Sequence, residues 1–136
     1  DNWRQNVVFN SLVDQDLDVE LPDNLGLLRF SYNTVIDDDL NVQSIAIPTL
    51  DTKDQIEICF SHSNPKCLPD YRQHHRSLKK VLQERDIPPW QRKRTPLLFL
   101  NDQLVAAVGQ FVCKPFVPQH GQRKINVCWL GQPKSG

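Results

Sequence analysis

Apolar residues are distributed along this chain mostly in short runs with strand-like alternation, and only one stretch shows helical spacing. "VVFNSLV" (7–13), "LGLLRFSY" (25–32), "VQSIAIP" (42–48) and "QIEICFS" (55–61) are rich in β-branched or aromatic residues and bounded by Asp, Asn and Pro clusters. Each predicts a strand. In 55–61 the alternation sets Ile56, Ile58 and Phe60 on one face and Glu57, Cys59 and Ser61 on the other, so one face is expected to pack on a core. "PLLFLNDQLVAAVGQFVC" (96–113) reads as two strands joined at Asn101-Asp102, residues that tolerate the backbone of a tight hairpin. "KINVCWL" (124–130) supplies a last strand.

Residues 62–75, "HSNPKCLPDYRQHH", read as a polar, proline-broken loop. From about Asp70 the spacing predicts one helix, running to about Asp86 and halted by Ile87-Pro88-Pro89. Arg72, Arg76, Lys79, Lys80 and Gln83 share one side of that helix, while Tyr71, Leu78, Val81 and Leu82 lie opposite. "PPWQRKRTP" then predicts a further turn, opened by proline, that sets Arg92, Lys93 and Arg94 beside the first basic face. Trp90, flanked by Pro and followed by "PLLF", is expected to be a core anchor, the alternative being a platform for an exposed base. Trp129, within a strand pattern, is expected in the core as well. The resulting fold class is α+β, strand-rich, with one main basic helix.

Composition adds bounds. With 136 residues, 39% hydrophobic and 24% charged, the chain resembles ordinary globular usage and can bury a real core. No apolar run approaches a membrane span, the start has no signal-peptide pattern, and the absence of Met suggests a piece of a longer protein. Cys59, Cys67, Cys113 and Cys128 are too few and too irregular for a disulfide scaffold and read as reduced thiols in a cytoplasmic protein. Cys59, His62, Cys67 and His74 or His75 resemble a permuted zinc knuckle, but their order matches no standard spacing. The two adjacent histidines read instead as phosphate or ribose donors, or as exposed residues. Asp37, Asp38 and Asp39 fit a solvated loop better than a catalytic centre, and no Gly-rich phosphate loop or nucleophile motif occurs. No catalytic residue is assigned in this window.

Charge changes the picture more. The net charge of zero averages two opposite halves: residues 1–57 hold twelve acids against Arg4, Arg29 and Lys53, a balance of −9, and residues 58–136 hold thirteen bases against Asp70, Glu84, Asp86 and Asp102, a balance of +9. Segregation of this kind points to a polyanionic partner for the basic half. Arg72, Arg76, Lys79, Lys80, Arg92, Lys93 and Arg94 form its densest part, and several cations on one surface are what neutralising a phosphate backbone requires.

Residues 76–109, "RSLKKVLQERDIPPWQRKRTPLLFLNDQLVAAVG", resemble the C-terminal substrate-binding domain of bacterial tRNA(Ile)-lysidine synthetases. The resemblance rests on Arg76, Ser77, Lys79, Lys80, Ile87, Pro88, Arg92, Pro96 and the paired apolar strands that follow. It implies a sandwich-like fold related to a phenylalanyl-tRNA synthetase β-subunit module. Residues 1–136 would then form one C-terminal tRNA-binding domain, a fragment of a longer protein, with 1–24 a linker or edge segment. The implied parent is a cytoplasmic ligase that uses ATP to join lysine to the wobble cytidine of the isoleucine tRNA anticodon. ATP, Mg and lysine would be used by its N-terminal catalytic domain, leaving this domain without a cofactor or metal of its own. The implied partners are tRNA(Ile), through the acceptor stem, and the parent's own catalytic domain, with no membrane. By position in the motif Arg76, Lys79, Lys80 and Arg92 are the implied RNA contacts; Arg72, Lys93 and Arg94 rest on charge alone. Two alternatives remain: a protein-interaction module with a basic face, and a zinc-stabilised RNA-binding domain.

Overall fold

The computed structural model describes residues 3–8, 17–31, 42–46, 55–62, 64–69, 73–100, 103–119 and 125–130. In chain order its elements are β1 (Arg4–Val8), β2 (Leu17–Glu20), β3 (Leu27–Ser31), β4 (Val42–Ile45), β5 (Gln55–Cys59), β6 (Lys66–Cys67), β7 (Arg76–Ser77), α1 (Leu78–Glu84), α2 (Pro89–Arg92), β8 (Leu97–Leu100), β9 (Gln103–Ala107), β10 (Phe111–Val112) and β11 (Ile125–Leu130), with a 3-10 turn at Lys114–Phe116. Arg72, Asp37–Asp39 and the Asn101-Asp102 turn lie outside the described residues. None of the described helices is long and apolar enough to cross a membrane.

Among the described residues there are two main antiparallel sheets, one ordered β1-β5-β8-β9-β10 and the other β2-β3-β11-β4, plus the small ladder β6-β7. Both main sheets and α1 contribute to one hydrophobic core, in which Leu28, Phe30, Ile45, Ile56, Ile58, Leu78, Val81 and Leu98 are fully buried. Some interior strands are covered on both faces along part of their length. In β9 four consecutive residues, Leu104 to Ala107, are buried, and a register irregularity opposite Leu98 and Phe99 shifts the pairing there. The same effect revises the expectation for β5. Ile56 and Ile58 face the core as alternation predicts, yet Cys59 on the alternate face is buried too, while Glu57 on that face stays partly exposed. At the outer strand, Trp3 packs on half-buried Phe60 and Arg4 Nη1 donates to Glu57 Oε1 at 2.6 Å.

The second sheet is centred on β11, which pairs with β3 on one side and β4 on the other. Its buried polar residue Asn126 stands opposite Ser44 and accepts a hydrogen bond from the Ser44 hydroxyl at 2.9 Å, so its burial does not strand a polar atom. Strand β2 is not predicted by the sequence pattern. It exists because Pro22-Asp23-Asn24-Leu25 forms a tight turn with φ of 56° at Asp23 and 59° at Asn24, closed by Leu25 N–H on Pro22 C=O at 3.1 Å. Trp129, expected in the core, lies at its edge. It is half-buried against the core, and its Nε1–H donates to Leu25 C=O at 2.6 Å.

The largest correction concerns the helix. It spans Leu78–Glu84, seven residues, where the periodicity predicts about Asp70 to Asp86. Ser77 has extended backbone angles and caps the helix through its hydroxyl, and Arg76 and Ser77 pair with Lys66 and Cys67 as strand β7. The predicted loop over 62–75 thus contributes a strand, and Arg76 is not a helical residue. The C-terminal boundary matches the expectation. Asp86 takes φ of 56°, its N–H donates to Gln83 C=O at 3.0 Å, and the Ile87 N–H donates to Leu82 C=O at 3.1 Å. This is a Schellman closure, with Leu82 and Ile87 as its buried apolar pair. Asp86 occupies a left-handed position that glycine holds without a Cβ penalty. Asp86→Gly is therefore expected to raise stability by about 1 kcal/mol, read as a higher denaturant midpoint at unchanged slope.

Candidate nucleic-acid interface

The basic segment is built from two short helices, of which α1 is fixed to the core by its apolar residues and to the preceding loop by hydrogen bonds, while α2 buries none of its own. Leu78, Val81 and Leu82 are buried, which leaves Lys79, Lys80 and Gln83 on the solvent side of α1. The first N–H groups of α1 each have a partner. Leu78 N–H donates to Pro65 C=O at 2.8 Å, Lys79 N–H to Asn64 Oδ1 at 2.9 Å, and Lys80 N–H to Ser77 Oγ at 3.4 Å. The loop residue Asn64, with φ of 55°, thus holds the turn that carries both lysines.

After the Schellman closure, Pro88 and Pro89 start α2. The half-buried Arg92 turns its Nε–H back onto Ile87 C=O at 2.7 Å, and buried Thr95 donates its hydroxyl to Gln91 C=O at 2.9 Å. Arg92 thus spends one donor on the turn itself. Lys93 and Arg94 follow α2 and are exposed. Arg76, in β7, is exposed and lies 3.3 Å from Glu84 Oε1, so part of its charge is already countered. The seven predicted residues therefore divide. Lys79, Lys80, Lys93 and Arg94 are exposed cations on one continuous segment, Arg92 is partly structural, Arg76 is ion-paired, and Arg72 lies outside the described residues.

Two further residues belong to this surface that the sequence pattern does not place there. Lys66 is exposed in β6, opposite Ser77 at the start of α1. Nothing in a polar, proline-broken segment signals a two-residue ladder formed across the intervening loop. Trp90 overturns its core assignment: it is 71% exposed. The reason is local. Ile87 takes the buried position as the last residue of the Schellman closure, and α2 is a single turn with no buried residues, so an indole three residues later projects outward.

The zinc reading finds no assembled donor set, since no three His, Cys, Asp or Glu among the described residues gather into a metal-binding group. All four cysteines are buried. Cys59 Sγ donates to Ser61 C=O at 3.4 Å, and burial pushes its thiol pKa up. The Cys67 thiol is hydrogen-bonded with that of Cys113, which holds it below its ordinary value against the opposing effect of burial. His62, His74 and His75 are exposed.

Residues 56–129, from β5 through both helices to β11, match the family model described as the TilS substrate C-terminal domain. The chain belongs to this family. Similar proteins include the tRNA(Ile)-lysidine synthase of Pectobacterium atrosepticum, 36% identical over 111 residues, which are 82% of this chain and 23% of that protein. The tRNA(Ile)-lysidine synthase of Coxiella burnetii is 44% identical over 68 residues, 50% of this chain and 15% of that protein. The chain thus spans no more than about a quarter of the length of these relatives. A crystal structure of a TilS C-terminal domain superposes with a TM-score of 0.59 over 90% of this chain and 100% of that one at 17% identity, which shows a shared fold. The TilS C-terminal match thus takes in the whole basic segment 76–94.

One titratable group bears on that segment. His62 Nδ1 accepts the Asn64 N–H at 2.9 Å, so it must be unprotonated, and partial burial holds its pKa below the ordinary value. With the folded pKa depressed, the unfolded chain takes up the proton first. This contribution to stability is complete above about pH 6.5 and is lost as pH falls through the folded value. The wild-type melting temperature should therefore fall more steeply below pH 6.5 than that of His62→Gln, and identical slopes would remove His62 from the cap.

Proposed function

We propose that this domain docks tRNA for a tRNA(Ile)-lysidine synthase. The parent enzyme is an ATP-dependent ligase of the cytoplasm that joins lysine to the wobble cytidine of the isoleucine tRNA anticodon. ATP, Mg and lysine belong to its N-terminal catalytic domain, which is this domain's other partner. The observation that carries the reading is the set of exposed cations Lys79 and Lys80 on α1 and Lys93 and Arg94 just after α2, inside the span matched to the TilS substrate C-terminal domain. Names of relatives that carry tRNA(Ile) in their activity support the choice of polyanion.

The mechanism is electrostatic positioning. A-form RNA presents phosphates and 2′-hydroxyls more readily than base edges, so lysine and arginine arrays suit its recognition. The acceptor stem is the duplex placed here, which orients the anticodon toward the distant active site. Arg76 and Arg92 serve in part as supports, since Glu84 and the Ile87 carbonyl already engage them. Glu84→Gln releases Arg76 and should tighten tRNA binding by about two- to five-fold, the size of one exposed ion pair.

The deciding experiment is binding of this chain to isoleucine tRNA across a salt series, beside Lys79→Ala/Lys80→Ala. Affinity should fall linearly in log–log form, and the double variant should flatten the slope by about one per lysine removed. Equal weak binding with equal slopes would leave the helix a solvated face and favour a protein-interaction role.

A further inference from the structure

We propose that Trp90 is a stacking platform for an unpaired nucleotide next to the duplex held by the basic residues, a reading that rests on the tRNA-docking function above. Trp90 is the one large hydrophobic side chain exposed among the described residues, at 71%. Leaving an indole in water forgoes the burial that aromatic residues ordinarily contribute to a core, and such a side chain is well suited to a binding surface. Its setting is also rigid. Pro88 precedes α2 and Pro89 opens it, Arg92 Nε–H is fastened to Ile87 C=O, and Thr95 Oγ1 is fastened to Gln91 C=O. A side chain on a turn already held in place loses little freedom on binding.

Its neighbours select the ligand chemistry. Lys93 and Arg94 are exposed within four residues of Trp90, and Arg92, two residues on, is half-exposed. An aromatic face beside cations is the arrangement by which single-stranded nucleic acids are held, with base on ring and phosphate on cation. Within a duplex each base face is covered by its neighbours. An indole can therefore stack only on an unpaired nucleotide or on the end of a helix. Lys79 and Lys80, on the solvent side of α1, suit the duplex phosphates. The segment from Lys79 to Arg94 thus fits a junction between A-form duplex and single strand better than an uninterrupted duplex.

The test compares two RNA hairpins, one blunt and one extended by four unpaired nucleotides at its 3′ end. Binding to this chain is measured for wild type, Trp90→Ala, Trp90→Phe and Lys79→Ala/Lys80→Ala. Wild type should prefer the tailed hairpin by about five-fold or more, one base–aromatic stack. Trp90→Ala should lose that preference while keeping the wild-type salt slope, and Trp90→Phe should keep part of it. The lysine variant should show the opposite pattern, a flatter salt slope with the preference retained. An unchanged denaturation midpoint for Trp90→Ala will show that the exposed indole is not a folding element. If Trp90→Ala keeps the full preference for the tail, the indole is not a base platform, although the docking function stands. If wild type binds neither hairpin in a salt-dependent way, the docking function falls and the stacking role with it.

Discussion

One core is shared by both main sheets and by α1, and the placement of every candidate residue follows from it. Leu28 and Phe30 from one sheet, Ile56, Ile58 and Leu98 from the other, and Leu78, Val81 and Leu82 from the helix belong to the same buried cluster. Burial of such side chains is the main favourable contribution to folding, at roughly 25 cal/mol per Å² of apolar surface removed from water. A seven-residue helix would not be stable alone. Here it is held by three buried side chains, by capping from Asn64 and Ser77, and by the turn at Asp86. Because its apolar side is committed to the core, Lys79 and Lys80 are left on the solvent side.

The closure after α1 links packing to recognition. Ile87 is buried and Asp86 is left-handed, so the chain reverses within two residues and enters the proline-led turn that carries Trp90, Lys93 and Arg94. Arg92 illustrates how structural and recognition roles share one side chain. Its Nε–H closes the turn on Ile87 C=O, while its position beside Lys93 and Arg94 adds charge to the segment. Arg76 shows a different compromise, since its ion pair with Glu84 orients it while moderating its attraction for an anion.

Much of this architecture is legible in local pattern alone. Short apolar runs rich in β-branched or aromatic residues, most of them flanked by turn residues, locate strands β3, β4, β5, β8, β9 and β11, with clear alternation in β5. The stop at Asp86-Ile87-Pro88 is readable because proline acts on the residue before it, a local steric effect. The motif around Arg76 to Gly109 is readable as well, and it lies within the span matched to the TilS substrate C-terminal domain. The helix start is not legible in the same way. Residues 70–77 have compatible helical spacing, while the ladder of Arg76-Ser77 with Lys66-Cys67 overrides that preference.

Sequence by itself thus determined the strand-rich class, the position of the cation-dense segment and the family, all of which reside in neighbouring residues and their order. Tertiary structure alone decided which cations are available and which are occupied, because ion pairs and caps depend on residues brought together from elsewhere in the chain. It also decided the fate of Trp90. An aromatic residue between prolines and an apolar strand carries the composition of a core anchor, but the core position was taken by Ile87, and a single helical turn offers no second inward-facing site.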